Sequence, residues 1–534
     1  MKLRFACAAI GVAVLVGACG GSSGTTGGGS GNITKGGTVI IGVPNDAAVS
    51  NPDISSDYPD AAVGTLVYEG MVISRLDGGV DPGLASSWEV SSDGLRFTFH
   101  LRTTNWTDGQ PFTSDDVVYT LTQVAPQYSA YFSGTSGSID SITAPDAHTV
   151  VIKLTKPYGP FLNAVAGDSG AAILPKHIFN GTDIAKNPAS LQKPVGTGPF
   201  MVSEWVAGDH ITLVKNPHYW MEGHPYLDKL IYQIIPSSTS MVLALQSGQL
   251  QYVDPDQITE TDYPTIKSSG SLQLNPDTFP ASDDLMFFNV TNGGPTSNVQ
   301  VRHALAMAVD RNFLLKSLYS GTGDVGKEAI DTRLKWAVDQ KVDYSTMYPF
   351  DTNKANSILD SAGFPKKSDG TRFSLDFVVS SAHPPYVAAG QAMQQWFQQI
   401  GVKLNIVSLD DDSATVRIFE QRKFDITIQG YTTRNDPALG IVREFTTGRI
   451  GKAFGNPSGY SNPQVDQLAV QGQSQSTNDA RKPYYDQLQE IIANDLPVML
   501  ILQREDQDAS TKKLHDLWNG DEGYGAWWLA WLEH

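Results

Sequence analysis

Asn105-Trp106-Thr107-Asp108-Gly109-Gln110-Pro111-Phe112-Thr113-Ser114-Asp115-Asp116-Val117 is the stretch from which the rest of this 534-residue chain can be read. Asp108-Gly109 is a turn pair, since Asp bonds its own backbone and Gly accepts positive φ. Thr113 followed three residues later by Asp116 reads as the start of a helix that continues through Val117 to Val124. Just upstream, Leu95-Arg96-Phe97-Thr98-Phe99-His100-Leu101-Arg102 alternates apolar and polar residues, as a half-buried strand does. Asp93-Gly94 before it is a hairpin signal. Trp88 and Trp106 beside this strand are expected as core anchors, given the area an aromatic buries.

The same mixture extends outward. Thr38–Val43, Thr149–Leu154 and Ile211–Val214 read as short strands among helices. Asn298 caps a predicted helix with Val301, Leu305 and Val309 on one face and Gly321 as its stop. Gly196 and Gly198, flanking Thr197, suit a crossing where two backbones pass closely. No repeat is present, and the length fits two or three domains.

The N-terminus states where the protein works. Lys2 and Arg4 form a basic start, Phe5 to Val16 an apolar run, and Gly17-Ala18 a small pair ahead of Cys19. Twelve apolar residues cannot span a bilayer core that needs roughly 20, so residues 1–18 read as a secretory signal. A twin-arginine pair is absent, which favours the general secretion route. Cys19 resembles a bacterial lipobox cysteine, acylated and then made the new N-terminus. The other cysteine, Cys7, would be removed, leaving one thiol and no disulfide. A diacylglycerol on Cys19 would anchor the chain more firmly than one acyl chain. The Gly/Ser/Thr-rich residues 19–36 then serve as a flexible tether.

Net charge is −18, and loss of Lys2 and Arg4 makes it −20. Such an acidic chain argues against nucleic acid and against adhesion to anionic lipid.

Segments along almost the whole chain resemble the family 5 extracellular solute-binding proteins of bacterial ABC importers, the peptide and nickel type. They are Leu66-Val67-Tyr68-Glu69-Gly70, Pro82-Gly83-Leu84-Ala85-Ser86-Ser87-Trp88, and the opening stretch with its preceding strand. Val195-Gly196-Thr197-Gly198-Pro199-Phe200, Asn216-Pro217-His218-Tyr219-Trp220 and Ala244-Leu245-Gln246-Ser247-Gly248 follow. Val301-Arg302-His303-Ala304-Leu305 with Asp310-Arg311, then Gly459-Tyr460-Ser461-Asn462-Pro463 with Asp466, complete the order.

The resemblance implies an α/β, two-lobed periplasmic-binding-protein-like fold (type II, cluster C), with an extra subdomain in lobe I and a hinge between lobes. It places lobe I at 37–75, 195–280 and 503–534, the subdomain at 76–194 and lobe II at 281–502. The C-terminal Trp527-Trp528 and Trp531 then belong to a strand packed back on lobe I. Its implied role is capture of an extracellular oligopeptide or peptide-like solute by closure. The solute passes to permease subunits served by cytoplasmic ATPases. The protein would be a lipid-anchored monomer on the outer face of the cytoplasmic membrane, without cofactor, metal or chemistry of its own. Oligosaccharide or another non-peptide solute is the alternative, as is sensing without import.

By the same resemblance, Asn45, Asp46 and Ser50 line the pocket from lobe I. Tyr431, Thr433 and Arg434 line it from lobe II, with Trp336 as a stacking surface. Peptide-binding members place an ammonium-binding aspartate shortly after a Gly-Trp strand end. The matching segment here is Gly430-Tyr431-Thr432-Thr433-Arg434-Asn435-Asp436-Pro437, in which that slot holds Arg434 or the segment is one residue shorter. A guanidinium repels an ammonium and suits a carboxylate, a phosphate or sugar hydroxyls. The other reading has Arg434 facing solvent or neutralised by Asp436.

Catalytic readings are poorer. Gly167-Asp168-Ser169-Gly170 imitates a serine-protease segment, but Ala171 follows where a further glycine is needed. Neither HExxH nor a cysteine ligand pair is present. Only His303 and His383 of the ten histidines fall in 281–502.

Overall fold

The computed structural model describes residues 33–533 apart from 56–57, 76–77, 130–131, 168–170, 255–256, 259–261, 277–281, 433–435, 453, 506 and 519–524. The signal segment, Cys19 and most of the tether lie outside the described residues. So do Asp168-Ser169-Gly170, Thr433 and Arg434.

Val498–Arg504 reads Val-Met-Leu-Ile-Leu-Gln-Arg, apolar without alternation, as in a strand covered on both faces. Its first six residues are all buried. It lies inside a six-stranded sheet ordered Asp324–Val325, Val498–Arg504, Ser282–Phe288, Ile426–Thr432, Phe373–Ser380 and Val402–Leu409. Ser282–Phe288 is antiparallel to both its neighbours, whereas Phe373–Ser380 runs parallel to both of its own. The helices Val299–Met307, Pro384–Gln399 and Asn478–Asp495 contribute to a core that holds Phe287, Phe377, Met393 and Ile492.

A seven-stranded sheet carries a separate core. Thr38–Val43 lies at its centre, parallel to Lys229–Ile234 and Tyr252–Val253. His210–Lys215 and Phe200–Val206 extend one side, and Gln507–Thr511 and Leu272–Pro276 extend the other. A four-stranded antiparallel sheet of Ala85–Val90, Arg96–Leu101, Thr149–Leu154 and Ile139–Asp146 has a third core around Phe99, Trp106 and Ile152. The seven- and six-stranded sheets with their separate cores are the two lobes.

The opening stretch folds as its residues imply. Gly109 has φ +88°, and Gln110 N–H donates to the Asp108 carboxylate at 3.0 Å. Asp116 accepts Thr113 N–H at 2.9 Å, Lys176 N–H at 2.9 Å and the Trp106 indole N–H at 3.4 Å. One carboxylate therefore ties turn, helix and tryptophan together. At Gly196 a Cβ would lie 1.9 Å from the Val67 carbonyl oxygen, and at Gly198 2.4 Å from that of Leu66. The crossing needs glycine for space.

Three local expectations change. The helix after Thr113 is α over Ser114–Tyr119 and widens to a π turn over Thr120–Val124. Asn298 caps Val299–Met307 alone. Asp310 then accepts Phe313 N–H and starts a second helix, Arg311–Leu318, which is the one Gly321 follows. An N-capping aspartate inside the periodic run outweighs the period, because it supplies an acceptor for a new set of orphan donors. Trp88 is half-buried, whereas Trp106 is a core residue. At the C-terminus, Trp531–Leu532 pairs with Leu514–His515, and Trp527 packs edge-on against Tyr252 at 5.2 Å in the first-lobe core.

Candidate functional site

The chain passes between the two large sheets where Pro276 leads to Ser282 and where Arg504 leads to Gln507. The strand ends Pro276, Ser282, Arg504 and Gln507 are the described residues on either side of these two passages.

On the first-lobe side, the loop after Thr38–Val43 is pinned by Asp60, which accepts Ala48 N–H at 2.6 Å and Val49 N–H at 3.1 Å. Asn45 is exposed beside it. Asp46 already uses both oxygens, on the Trp205 indole at 3.1 Å and Gly208 N–H at 2.9 Å. Ser50 is fully buried, and its hydroxyl has no hydrogen-bond partner. Nearer the crossing, Asp508 accepts from Asn275 and from the Tyr252 hydroxyl at 3.0 Å, and burial pushes its carboxyl up to about 8.

On the second-lobe side, Asp283 and Asp284 follow the first crossing and, by strand alternation, occupy opposite faces. Asp284 accepts from the Tyr319 hydroxyl at 2.8 Å, the Tyr386 hydroxyl at 2.9 Å and Arg504 Nε at 3.1 Å. The Arg504 bond links one crossing to the other. On the other face, Asp283 registers with Tyr431 and Gln503. Asp283 is wholly buried, no N–H or hydroxyl donates to its oxygens, and its side-chain hydrogen bond is to the Asp331 carboxyl. Burial first and Asp331 second push its carboxyl well above the ordinary range. Asp331 is held by Arg333 at 2.9 Å.

Tyr431 is a wall residue in this setting, 4% exposed with its hydroxyl donating to the Gly455 carbonyl at 3.1 Å. The Arg443 guanidinium lies 5.4 Å from its ring centre. Trp336 stands further along the same lobe, half-buried and 4.8 Å from the Arg481 guanidinium. Arg481 binds Asp436 through two bonds of 2.6 Å, both side chains being 2% exposed. Asp436 is thus committed to Arg481, and Arg434 lies outside the described residues. The structure places Asn45, Asp46 and Ser50 on the first lobe and Trp336 and Tyr431 on the second.

Sequence reasoning missed Asp283, Asp331, Gln503 and Arg504. A signal existed. Two consecutive acids open the apolar strand Leu285 to Phe288, and alternation puts one on each face of a sheet that is buried on both sides.

The family model for bacterial extracellular solute-binding proteins, family 5 (middle region), matches residues 79–452. The oligopeptide-binding protein AppA of Bacillus subtilis is 25% identical over 549 residues, covering 97% of each chain. Heme-binding protein A of Haemophilus influenzae is 27% identical over 439 residues, 78% of each. The solved structure of B. subtilis AppA in complex with a nonapeptide superposes with a TM-score of 0.76 at 25% identity, covering 94% of this chain and 100% of that one. The chain belongs to the bacterial extracellular solute-binding proteins, family 5, and has their two-lobed α/β architecture.

Proposed function

We propose that this protein is the receptor of an ABC importer, taking up an oligopeptide or peptide-like solute between its lobes and presenting it to a membrane permease. The observation that carries this reading is the pair of short crossings, Pro276 to Ser282 and Arg504 to Gln507, between two lobes with separate cores. A hinge of a few strand-end residues is what domain closure requires. Likeness to AppA over nearly the full length adds the ligand class. Closure performs no chemistry, and transport energy comes from ATPase subunits elsewhere. Lobe I would comprise 37–75, 195–280 and 505–534, with 76–194 as its subdomain and 281–504 as lobe II, because the second-lobe strand Val498–Arg504 runs two residues past the expected boundary at 502. Asn45 and Ser50 would contribute polar contacts from lobe I, and Arg434 and Thr433 from lobe II, with Trp336 as a stacking surface. Attachment to the outer face of the membrane would run through Cys19.

Mass spectrometry of the solute that co-purifies, followed by calorimetry with di- to pentapeptides, tests the proposal. Tight binding of peptides without turnover is expected. Reproducible hydrolysis abolished by Ser169→Ala would replace the receptor with an enzyme. Cys19→Ser is expected to release the protein from membranes, and a variant that stays attached and processed would remove the lipid anchor.

A further inference from the structure

The four-stranded sheet belongs to the first-lobe side in sequence, since the chain reaches it after Thr38–Val43 and leaves it for Phe200–Val206. Two of its connections nevertheless touch the second lobe. Gly94 lies in the turn between Ala85–Val90 and Arg96–Leu101, and a Cβ there would stand 3.2 Å from Ser476 Cβ. Gly159, beyond Thr149–Leu154, donates its N–H to the Gln473 carbonyl at 2.7 Å. A Cβ on Gly159 would lie 2.5 Å from the Gln475 oxygen and 2.9 Å from Arg481 Nε. Bare backbone is pressed against the second lobe.

The receiving surface is a polar turn. Gln473 to Thr477 reads Gln-Ser-Gln-Ser-Thr and joins the helices Pro463–Gln473 and Asn478–Asp495. The hairpin turn that touches it reads Ser91-Ser92-Asp93-Gly94. Neither turn brings a large apolar side chain. Permanent interfaces are apolar, whereas small polar ones accompany domains that move relative to each other. Closure turns the lobes about the crossings Pro276 to Ser282 and Arg504 to Gln507. The Gly159 bond belongs to neither crossing, and a shift of an ångström or two takes it outside the range of about 2.7–3.2 Å in which N–H···O bonds are made.

Arg481 stands directly under Gly159. It is 2% exposed, and besides its two bonds to Asp436 it donates to the Gly472 carbonyl at 3.2 Å and the Tyr485 hydroxyl at 3.0 Å. Asp436 follows the strand Ile426–Thr432, which carries Tyr431. Tyr158, next to Gly159, senses the same pair. Burial pushes its hydroxyl up to about 12, and Asp436 and Arg481 are the charges around it.

We infer that Tyr158-Gly159 is a latch that docks on Gln473 and Arg481 as the lobes close, and that Arg481 is the positioning residue that passes this docking to Asp436 and the strand bearing Tyr431. The latch rests on the solute-binding reading above and adds a partner to closure. The subdomain grips the second lobe directly, beside whatever the solute contributes.

The test locks the contact. Gly94→Cys with Ser476→Cys puts two thiols close to the Cβ separation of a disulfide, about 3.5–4.5 Å, and Cys7→Ser with Cys19→Ser leaves them the only thiols in the full chain. Small-angle scattering of the solute-free chain should give a smaller radius of gyration oxidised than reduced. Stopped-flow tryptophan fluorescence with unblocked penta-alanine should show uptake and release both at least about tenfold slower in the oxidised form, restored by reductant. The relay is read from a double-mutant cycle. Gly159→Ala should weaken penta-alanine about fivefold, and less than about twofold on an Arg481→Lys background, because the relay is already cut there. An Arg481→Lys chain that does not fold leaves the locked pair as the test of the latch and overturns Arg481 as a mere relay.

Thiols that do not pair under oxidant, or equal radii and equal rates in both redox states, would overturn the latch and leave the peptide receptor standing. Equal penalties of Gly159→Ala on both backgrounds would overturn the role of Arg481. No penta-alanine binding, with the scattering difference intact, would support the latch and overturn the peptide reading of the solute.

Discussion

Asp283 and Asp284 are consecutive, equally buried and opposite in situation. Asp284 collects two tyrosine hydroxyls and an arginine, while Asp283 meets only the Asp331 carboxyl and receives no N–H or tyrosine hydroxyl. Strand alternation is the cause: one step along the chain turns a carboxyl from the face that Tyr319 and Tyr386 complete to the face that Tyr431 and Gln503 line. The difference teaches that burial alone does not tell how an acid is held. The donors do.

The strongest way to break this comparison is Asp284→Ala. It strands the Arg504 guanidinium and two hydroxyls, and removing one partner of a buried charged pair costs about 3–5 kcal/mol. Urea unfolding should show that loss, and a change below about 1 kcal/mol would make the two acids alike.

Asp283→Asn should differ in sign. A carboxyl held above its ordinary value of 3.8 is bound to its proton more tightly in the folded chain. Its stabilising contribution is complete below about pH 4 and is lost as pH rises toward the folded value. Asn does not titrate, so the variant should gain on wild type as pH rises above about 4. Asp508 on the first lobe, pushed to about 8, gives the same slope by the same argument, and Asp508→Asn should flatten the curve between about pH 4 and 8. Melting temperatures across that window provide the check, and a wild-type curve parallel to both variants would remove the buried-acid argument.

The smallest effect concerns a third carboxylate, Asp436, satisfied like Asp284 but by Arg481. The segment around Gly159 rests on this pair. Gly159 N–H donates to the Gln473 carbonyl at 2.7 Å, and a Cβ there would lie 2.5 Å from the Gln475 oxygen and 2.8 Å from Arg481 Cδ. Gly159→Ala should disturb the contact between the four-stranded-sheet region and the second lobe. Overpacking costs about 1 kcal/mol at its low end, near fivefold in affinity for the co-purified solute. Unchanged calorimetry would show that this contact plays no part in closure.

Much of the scaffold was legible because its signals are local. Asp93-Gly94, Asp108-Gly109, Thr113 with Asp116 and Asn298 each act over three or four residues, and all shape the chain where they stand. Gly196 and Gly198 showed a close crossing without showing its partner, because Leu66 and Val67 are some 130 residues away in sequence. The candidate site was less legible. Asn45 and Asp46 follow the first strand as read, yet Asp46 proved to be tied to Trp205 and Gly208, a contact across 159 and 162 residues. Tyr431 likewise turned out to be held by Gly455 within its own lobe.

The sequence by itself determined the α/β character, the strand and cap positions set by nearest neighbours, the export-like N-terminus and the family order of motifs. Only the tertiary structure decided which acids are satisfied. Asp283 and Asp284 carry the same local code, and their environments come from residues 331, 319, 386 and 504, brought together by sheet register. Charge compensation inside a protein depends on distance in space through a poorly screening interior. That distance is set by the packing of the whole lobe, and no window of sequence contains it.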